Sequence, residues 1–196
     1  MGNPDPIYQT LEDRYNVDEV EQQGPFLCSR DNAWLGEGYY FWDYHIELAH
    51  WWGEPERSGY REYIICQAFC TLDNEKCWDL HNKGQHRDEF IQALEMIISL
   101  RISRKPHEIT VDQVIEFLKK RNAFQKYEAI RVMGVNSANF NRNMTKIGAR
   151  VFFKNSKHAF YDLFPQIQIC LFQKRSLNLN NYKVVWPEHY AEGYGI

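Results

Sequence analysis

Two glycines, Gly36 and Gly38, lead without a break into four aromatic residues, Tyr39-Tyr40-Phe41-Trp42. Four consecutive rings suit an extended strand, in which alternate side chains project to opposite faces. One face then feeds an apolar core, while the other presents a flat ring to a cleft and suits stacking on a planar heterocycle. Glycine before such a strand lets backbone approach backbone or ligand closely. The plainer account of the segment is an aromatic core strand with a turn in front of it.

Around this segment the chain alternates strand and helix patterns. PIYQTL reads as a short first strand, and EDRYNVDEVEQQG as a polar helix ending at Gly24. After the aromatic strand LGEGYYFW, Asp43 is placed to cap a helix through YHIELAHWW, with Ile46, Ala49 and Trp52 along one side. REYIICQAFCTL is strand-like and stops at a turn over Asp73–Asn74. RDEFIQALEMIISLRI has helical spacing, and Thr110 with Gln113 forms a capping box in front of Val111, Val114, Ile115 and Leu118. YEAIRVMG, ARVFFKN and QIQICLF follow as strands. In the last, Ile167, Ile169 and Leu171 face one way and Gln166, Gln168 and Cys170 the other, which an antiparallel strand can leave to solvent. The expectation is one α+β domain over residues 1–186, with 187–196 as a flexible tail.

Composition removes several classes of protein. With 44% hydrophobic and 25% charged residues over 196 positions, a packed core is within reach and wholesale disorder is not expected. No apolar run approaches the roughly 20 residues of a membrane helix, and the first residues have neither the basic nor the apolar region of a signal peptide. The five cysteines are odd in number and keep no metal-binding rhythm; Cys66 and Cys70 on one strand would stand about 13 Å apart. His45 and His50 are five apart and do not share a helix face as i,i+4 neighbours would. Neither a disulfide framework nor a metal is expected, and a reducing cytoplasm is.

The formal net charge of −3 conceals a division. Residues 1–100 carry −12 and residues 101–196 carry +9, the latter mainly on RISRK, KKR and NRNMTK. Either the two halves face each other in the fold, or the basic half meets a phosphate-bearing partner.

The run Gly36-Glu37-Gly38-Tyr39-Tyr40-Phe41, with the helix carrying Ala49 and Trp52, resembles the second motif of the H-Y-E ADP-ribosyltransferases. That group includes poly(ADP-ribose) polymerases, diphtheria-type toxins and small bacterial relatives reading L-G-x-G-x-Y-F-W. The resemblance implies split, mostly antiparallel sheets around an NAD cleft with flanking helices. It implies that Tyr40 stacks on nicotinamide, with Tyr39 as the fallback and Gly38 beside the cofactor. The first motif, a strand reading Y-H-G-T or similar, falls on Ile7-Tyr8-Gln9-Thr10-Leu11. There Gln9 replaces the histidine that contacts a ribose hydroxyl, and Tyr8 and Thr10 flank it as cofactor contacts. The third motif, a glutamate or glutamine on a late strand, falls on Gln168, with Gln166 two residues earlier. Glu62 in YREYIICQ competes for the carboxylate role but follows the second motif by only about twenty residues; Glu37 is a weaker candidate. Arg14 and Arg30 are the cations nearest the first two motifs, with Arg30 the choice for the diphosphate.

In the family the bond between nicotinamide and ribose breaks through a transition state resembling an oxocarbenium ion, as in glycoside cleavage. A glutamine in the third motif keeps a hydrogen bond but surrenders the charge, which favours transfer of a single ADP-ribose over chain elongation. The resemblance therefore implies an NAD-dependent mono-ADP-ribosyltransferase with NAD as co-substrate, acting inside a bacterial cell as a toxin or phage-defence effector. A neutralising antitoxin protein goes with that expectation. The basic C-terminal half favours a nucleic-acid acceptor (RNA or DNA) over a protein. The other reading is a catalytically silent NAD- or ADP-ribose-binding or protein-interaction module of the same fold, suggested by glutamine at both Gln9 and Gln168. An enzyme related to RNA 2′-phosphotransferases is a third, but the basic residues it needs have no recognisable arrangement.

Overall fold

The computed structural model describes residues 4–29, 33–72, 75–102, 108–135, 150–155 and 158–191. These residues form nine strands and six helices in an α+β arrangement, β1(Asp5–Glu12), α1(Val17–Gln23), β2(Tyr39–Asp43), α2(Ile46–Gly53), α3(Pro55–Ser58), β3(Tyr63–Cys70), β4(Cys77–Asp79), α4(Gly84–Ser99), α5(Val111–Lys119), β5(Ala129–Val135), β6(Arg150–Phe152), β7(Phe160–Asp162), β8(Gln166–Leu171), β9(Asn180–Trp186) and α6(Glu188–Ala191). Seven strands make one mixed sheet in the order β4-β5-β8-β2-β1-β3-β9, and β6 with β7 forms a separate ribbon. Only β4 and β5 run parallel; the other neighbours are antiparallel.

The sheet is nearly two sheets. β1 pairs with β3 along its whole length, and β2 pairs with β8 from Tyr39 to Trp42. Between β1 and β2, however, only Ile7 and Tyr8 are paired, opposite Asp43 and Trp42. Beyond Tyr8 the two strands part, so β4-β5-β8-β2 and β1-β3-β9 are halves joined by a two-residue seam. In place of the expected split sheets, the seven strands form one continuous mixed sheet whose β1–β2 pairing is short.

The two halves are covered separately on the same face. Tyr40 and Trp42, two residues apart on β2, must project to one side. Tyr40 packs into a cluster with Ile115 of α5, Trp78 and Ile130, whereas Trp42 packs with Leu48, Ala49 and Trp51 of α2. Thus α5 lies over one half and α2 over the other, leaving room between them. The opposite face buries Ile7, Phe41, Ala68, Ile169 and Leu171, and α1 closes its edge through Val20 against Ile64 and Val184.

Most expected elements form within a few residues of their predicted ends. α5 starts as the capping box requires, with Gln113 accepting from the Thr110 N–H at 3.2 Å. α1 is shorter than EDRYNVDEVEQQG suggests, because β1 takes Glu12 and residues 13–16 form a bend, with Tyr15 at φ 57°, before the helix starts at Val17. Asp43 does not cap α2. Its side chain is buried, and its Oδ2 accepts from Arg131 Nε at 2.8 Å, while Arg131 Nη1 donates to Asp79 Oδ2 at 3.1 Å. Tyr44, at φ 59°, turns the chain out of the strand, and α2 begins two residues later without a side-chain cap. This ion triad joins the acidic half of the chain to the basic half, one place where the two do face each other. Burial raises the Asp43 carboxyl above the usual carboxylate range despite Arg131, which lowers it.

Three strands lack any counterpart in the sequence pattern: β4, β7 and β9. Part of the expected flexible tail is ordered, since 188–191 form α6 and Tyr190 donates to Asp13 Oδ2 at 3.2 Å. Residues 192–196 and the expected turn at Asp73–Asn74 lie outside the described residues. The cysteines are all free, and among the described residues no group of three or more His, Cys, Asp or Glu could hold a metal ion. No described helix is long and apolar enough to cross a membrane.

Candidate functional site

A cleft of about 480 Å³ opens where β1 and β2 part, a size ordinary for a small-molecule site. β1 supplies Gln9, Thr10, Leu11 and Glu12, β2 supplies Tyr40, Phe41 and Trp42, and β8 supplies Gln168. The loop before β2 adds Phe26, Cys28 and Trp34, and α2 adds Trp52. Arg14, Asn16 and Tyr60 are among the other residues that line it. The three segments chosen from sequence therefore sit on three adjacent strands, β1, β2 and β8, and each has a residue lining the same cleft.

The aromatic wall is larger than the sequence suggests. Trp52 stands edge-on to Trp34 with ring centroids 6.2 Å apart, and its ring is tilted against Trp42, also at 6.2 Å. Trp42 was reachable by parity, because it shares the face of Tyr40. Trp34 was not: it lies in a loop, and nothing in its neighbours marks it. Such a wall suits a flat heterocycle entering between the rings.

Tyr40 is fixed at both ends of its hydroxyl. The oxygen accepts from the Leu35 N–H at 2.8 Å and donates to the Gly36 carbonyl at 2.7 Å. Burial raises its phenol well above the usual tyrosine range, so it remains protonated and keeps donating. Gly36, at φ +80°, is in the left-handed region that favours glycine and forms the turn that Tyr40 grips. Gly38 has another reason to be glycine: a Cβ there would lie 2.3 Å from Cys170 Sγ and 2.9 Å from the Leu171 carbonyl. Its role is close approach to β8, and it does not line the cleft. Tyr39 faces away and packs on the opposite core.

Gln9 spans the gap between the strands. Its Nε2 donates to the carbonyls of Phe26 at 3.1 Å and Tyr40 at 3.3 Å. Its Oε1 accepts from the Phe26 N–H at 3.1 Å and the Tyr182 hydroxyl at 2.7 Å. A primary amide has two N–H donors and two acceptor lone pairs, so this side chain is saturated. It replaces the ladder bonds that β1 and β2 do not make. Thr10 is tied down too, donating to the Ala49 carbonyl at 2.8 Å and anchoring α2 to β1. Tyr8 does not reach the cleft; its hydroxyl accepts from Gln67 Nε2 at 2.9 Å.

Gln168 behaves differently. All of β8 is buried, so its glutamines are not the solvated face that alternation allowed. Gln168 is 8% exposed and its Oε1 has no hydrogen-bond partner among the described residues. Gln166, fully enclosed, has neither amide atom partnered among the described residues. Leaving a buried polar atom unpaired costs about 1–3 kcal/mol, and such exceptions call for an explanation. Gln168 lines the cleft, but its Oε1 is itself enclosed, so a donor meets it only where the lining shifts.

The charged candidates sort by position. Arg14 lines the cleft and is bonded to Glu12 through Nε at 2.9 Å and Nη2 at 2.8 Å, an exposed pair that an incoming anion can rearrange. Glu62 is exposed at the start of β3, accepts from the Tyr15 hydroxyl and does not line the cleft. Glu37 is exposed as well. Arg30 lies outside the described residues.

No protein-family model matches this chain, and neither a curated protein nor a solved structure matches it significantly.

Proposed function

We propose that the chain has an ADP-ribosyltransferase-like fold and is an NAD-dependent mono-ADP-ribosyltransferase. The observation that carries this reading is convergence: Gln9, Tyr40 and Gln168, chosen from three distant segments, line one cleft formed where neighbouring strands separate. The tryptophan wall and the unpaired Gln168 oxygen support it, since together they offer a stacking surface and a buried acceptor.

In this reading the bond between ribose and nicotinamide breaks, the leaving group takes the electron pair, and the acceptor bonds to the same carbon and loses a proton. The protein holds the leaving ring against Tyr40, Trp42 and Trp52, which fixes its orientation. Gln168 Oε1 accepts from a ribose hydroxyl and points partial negative charge at a centre that becomes positive. No full carboxylate stands beside it, so the rate is modest and transfer stops at one unit. Gln9 is a positioning residue, spent on holding β1, β2 and the Phe26 loop at the right separation. Arg14 exchanges Glu12 for the diphosphate. The acceptor is nucleic acid rather than protein, the setting a bacterial cytoplasm, and the biological role that of a toxin or phage-defence effector with a protein antitoxin.

A second reading has its own support. Gln9 has no hydrogen-bonding capacity left for ribose, and the only carboxylate lining the cleft among the described residues, Glu12, is paired to Arg14. These two facts favour a silent module that binds NAD or ADP-ribose without cleaving it. Incubating the purified chain with NAD labelled in the adenylate, alongside separate RNA, DNA and protein pools, decides between them. Label in one pool with stoichiometric free nicotinamide supports the transferase. Saturable NAD binding without nicotinamide release supports the silent module, and no binding at all rejects both.

A further inference from the structure

The β6–β7 ribbon stands outside the main sheet, joined by three cross-strand pairs, Arg150–Asp162, Val151–Tyr161 and Phe152–Phe160. An isolated two-stranded ribbon is marginal in water by itself. Yet Val151, Phe152, Phe153 and Tyr161 are each more than half exposed, on both faces of the ribbon. Apolar exposure of this kind marks an interaction surface.

Charge narrows the partner. Residues 132–162 contain five Lys or Arg against one acid, Asp162, which stands opposite Arg150 in the ribbon. Within the ribbon, Arg150 stacks its guanidinium 4.0 Å from the centre of the Phe160 ring, Phe152 meets the same ring edge-on, and Lys154 follows Phe153 directly. Cations interleaved with exposed rings fit a ligand that is both polyanionic and rich in flat faces, as single-stranded nucleic acid is. A bilayer fits less well. The rings are on the stem, while the end carries Lys154, Asn155 and His158, so burying the rings in hydrocarbon drags charge in first.

The ribbon is also next to the cleft in the fold. β7 leads through Leu163 and Phe164 into β8, and Phe164 is buried in the same cluster as Trp42, whose ring lines the cleft. We infer that the β6–β7 ribbon is a docking surface for single-stranded RNA or DNA, whose bases stack on Phe152, Phe153 and Tyr161 while Arg150 and Lys154 meet the phosphates. As recognition of an acceptor this rests on the transferase reading; the binding itself does not.

The test is fluorescence anisotropy with labelled single-stranded RNA and DNA oligonucleotides, a duplex of the same sequence, and vesicles of phosphatidylserine and phosphatidylcholine, all without NAD. A single-stranded oligonucleotide should bind more tightly than the duplex and weaken steeply with salt. Phe153→Ala should weaken binding about tenfold and the Phe152→Ala/Phe153→Ala pair further, from the loss of one and two stacking platforms. Melting curves and nicotinamide release of these variants should match wild type, since the rings are exposed and outside the cleft. Absence of oligonucleotide binding, binding by vesicles alone, or binding that ignores ring removal would each overturn the inference. None of those outcomes touches the reading of the cleft, which nicotinamide release tests separately.

Discussion

The two walls of the cleft each bear a buried glutamine, and the two residues are in opposite conditions. On β1, Gln9 makes four hydrogen bonds and has none to spare. On β8, among the described residues, Gln168 keeps an unpaired oxygen and Gln166 behind it is unpaired at both amide atoms. A saturated buried amide stabilises the fold; an unsaturated one is retained at a cost to it. The first wall is therefore architecture, and the second is the side on which the proposed function places the ligand.

The largest expected effect tests the architectural wall. Gln9→Leu strips partners from the Phe26 N–H and carbonyl, the Tyr40 carbonyl and the Tyr182 hydroxyl, at roughly 3 kcal/mol or more in urea unfolding. Gln166→Leu, a change of similar size on the other wall, should be neutral or stabilising by about 1 kcal/mol, because it removes two unpaired atoms. Equal losses from the two substitutions would erase the distinction. Gly38→Ala comes next, at about 2 kcal/mol, because its Cβ cannot coexist with Cys170 Sγ unless β2 and β8 shift. A variant as stable as wild type would show that this contact yields more easily than the geometry implies. Tyr40→Phe leaves the Leu35 N–H and the Gly36 carbonyl without their partner and should cost about 1 kcal/mol, with greater hydrogen exchange at Leu35.

The smallest effect is in the pH dependence. Burial lowers His50 below the ordinary histidine value of 6.5, and it lowers His86 too, whose Nδ1 accepts from the Asp79 N–H at 2.8 Å. The unfolded chain takes up these protons near 6.5, while the folded chain resists them until lower pH. Their contribution is thus fully present above 6.5 and is lost as pH falls below it. Urea midpoints should drop between pH 7.5 and 5.5, and His50→Phe should flatten part of that drop. A midpoint that rises on acidification would contradict the assignment.

Much of this was legible in the chain, for reasons that differ by residue. Alternation in Tyr39–Trp42 and in Gln166–Leu171 is a property of any strand, so the faces could be assigned before the fold was known. The capping box at Thr110 is local and could be read directly. Burial of Gln166 and Gln168 could not, because it depends on β2 and β5 flanking β8 and on helices covering the sheet. The same holds for Asp43, whose partner Arg131 is 88 residues away. β4, only three residues long, exists through its parallel pairing with β5 and has no pattern of its own. Trp34 became part of the cleft through the path of a loop, which periodicity does not encode.

The central claim is that the β8 wall, and Gln168 in it, serves a bound NAD. The most direct measurement is nicotinamide release by wild type and Gln168→Leu, with urea stability of both determined in parallel. The account predicts unchanged or slightly higher stability for Gln168→Leu together with a loss of about a hundredfold in release, the scale of removing one transition-state hydrogen bond. Wild-type release that Gln168→Leu leaves intact, or a loss that merely tracks unfolding, would contradict it.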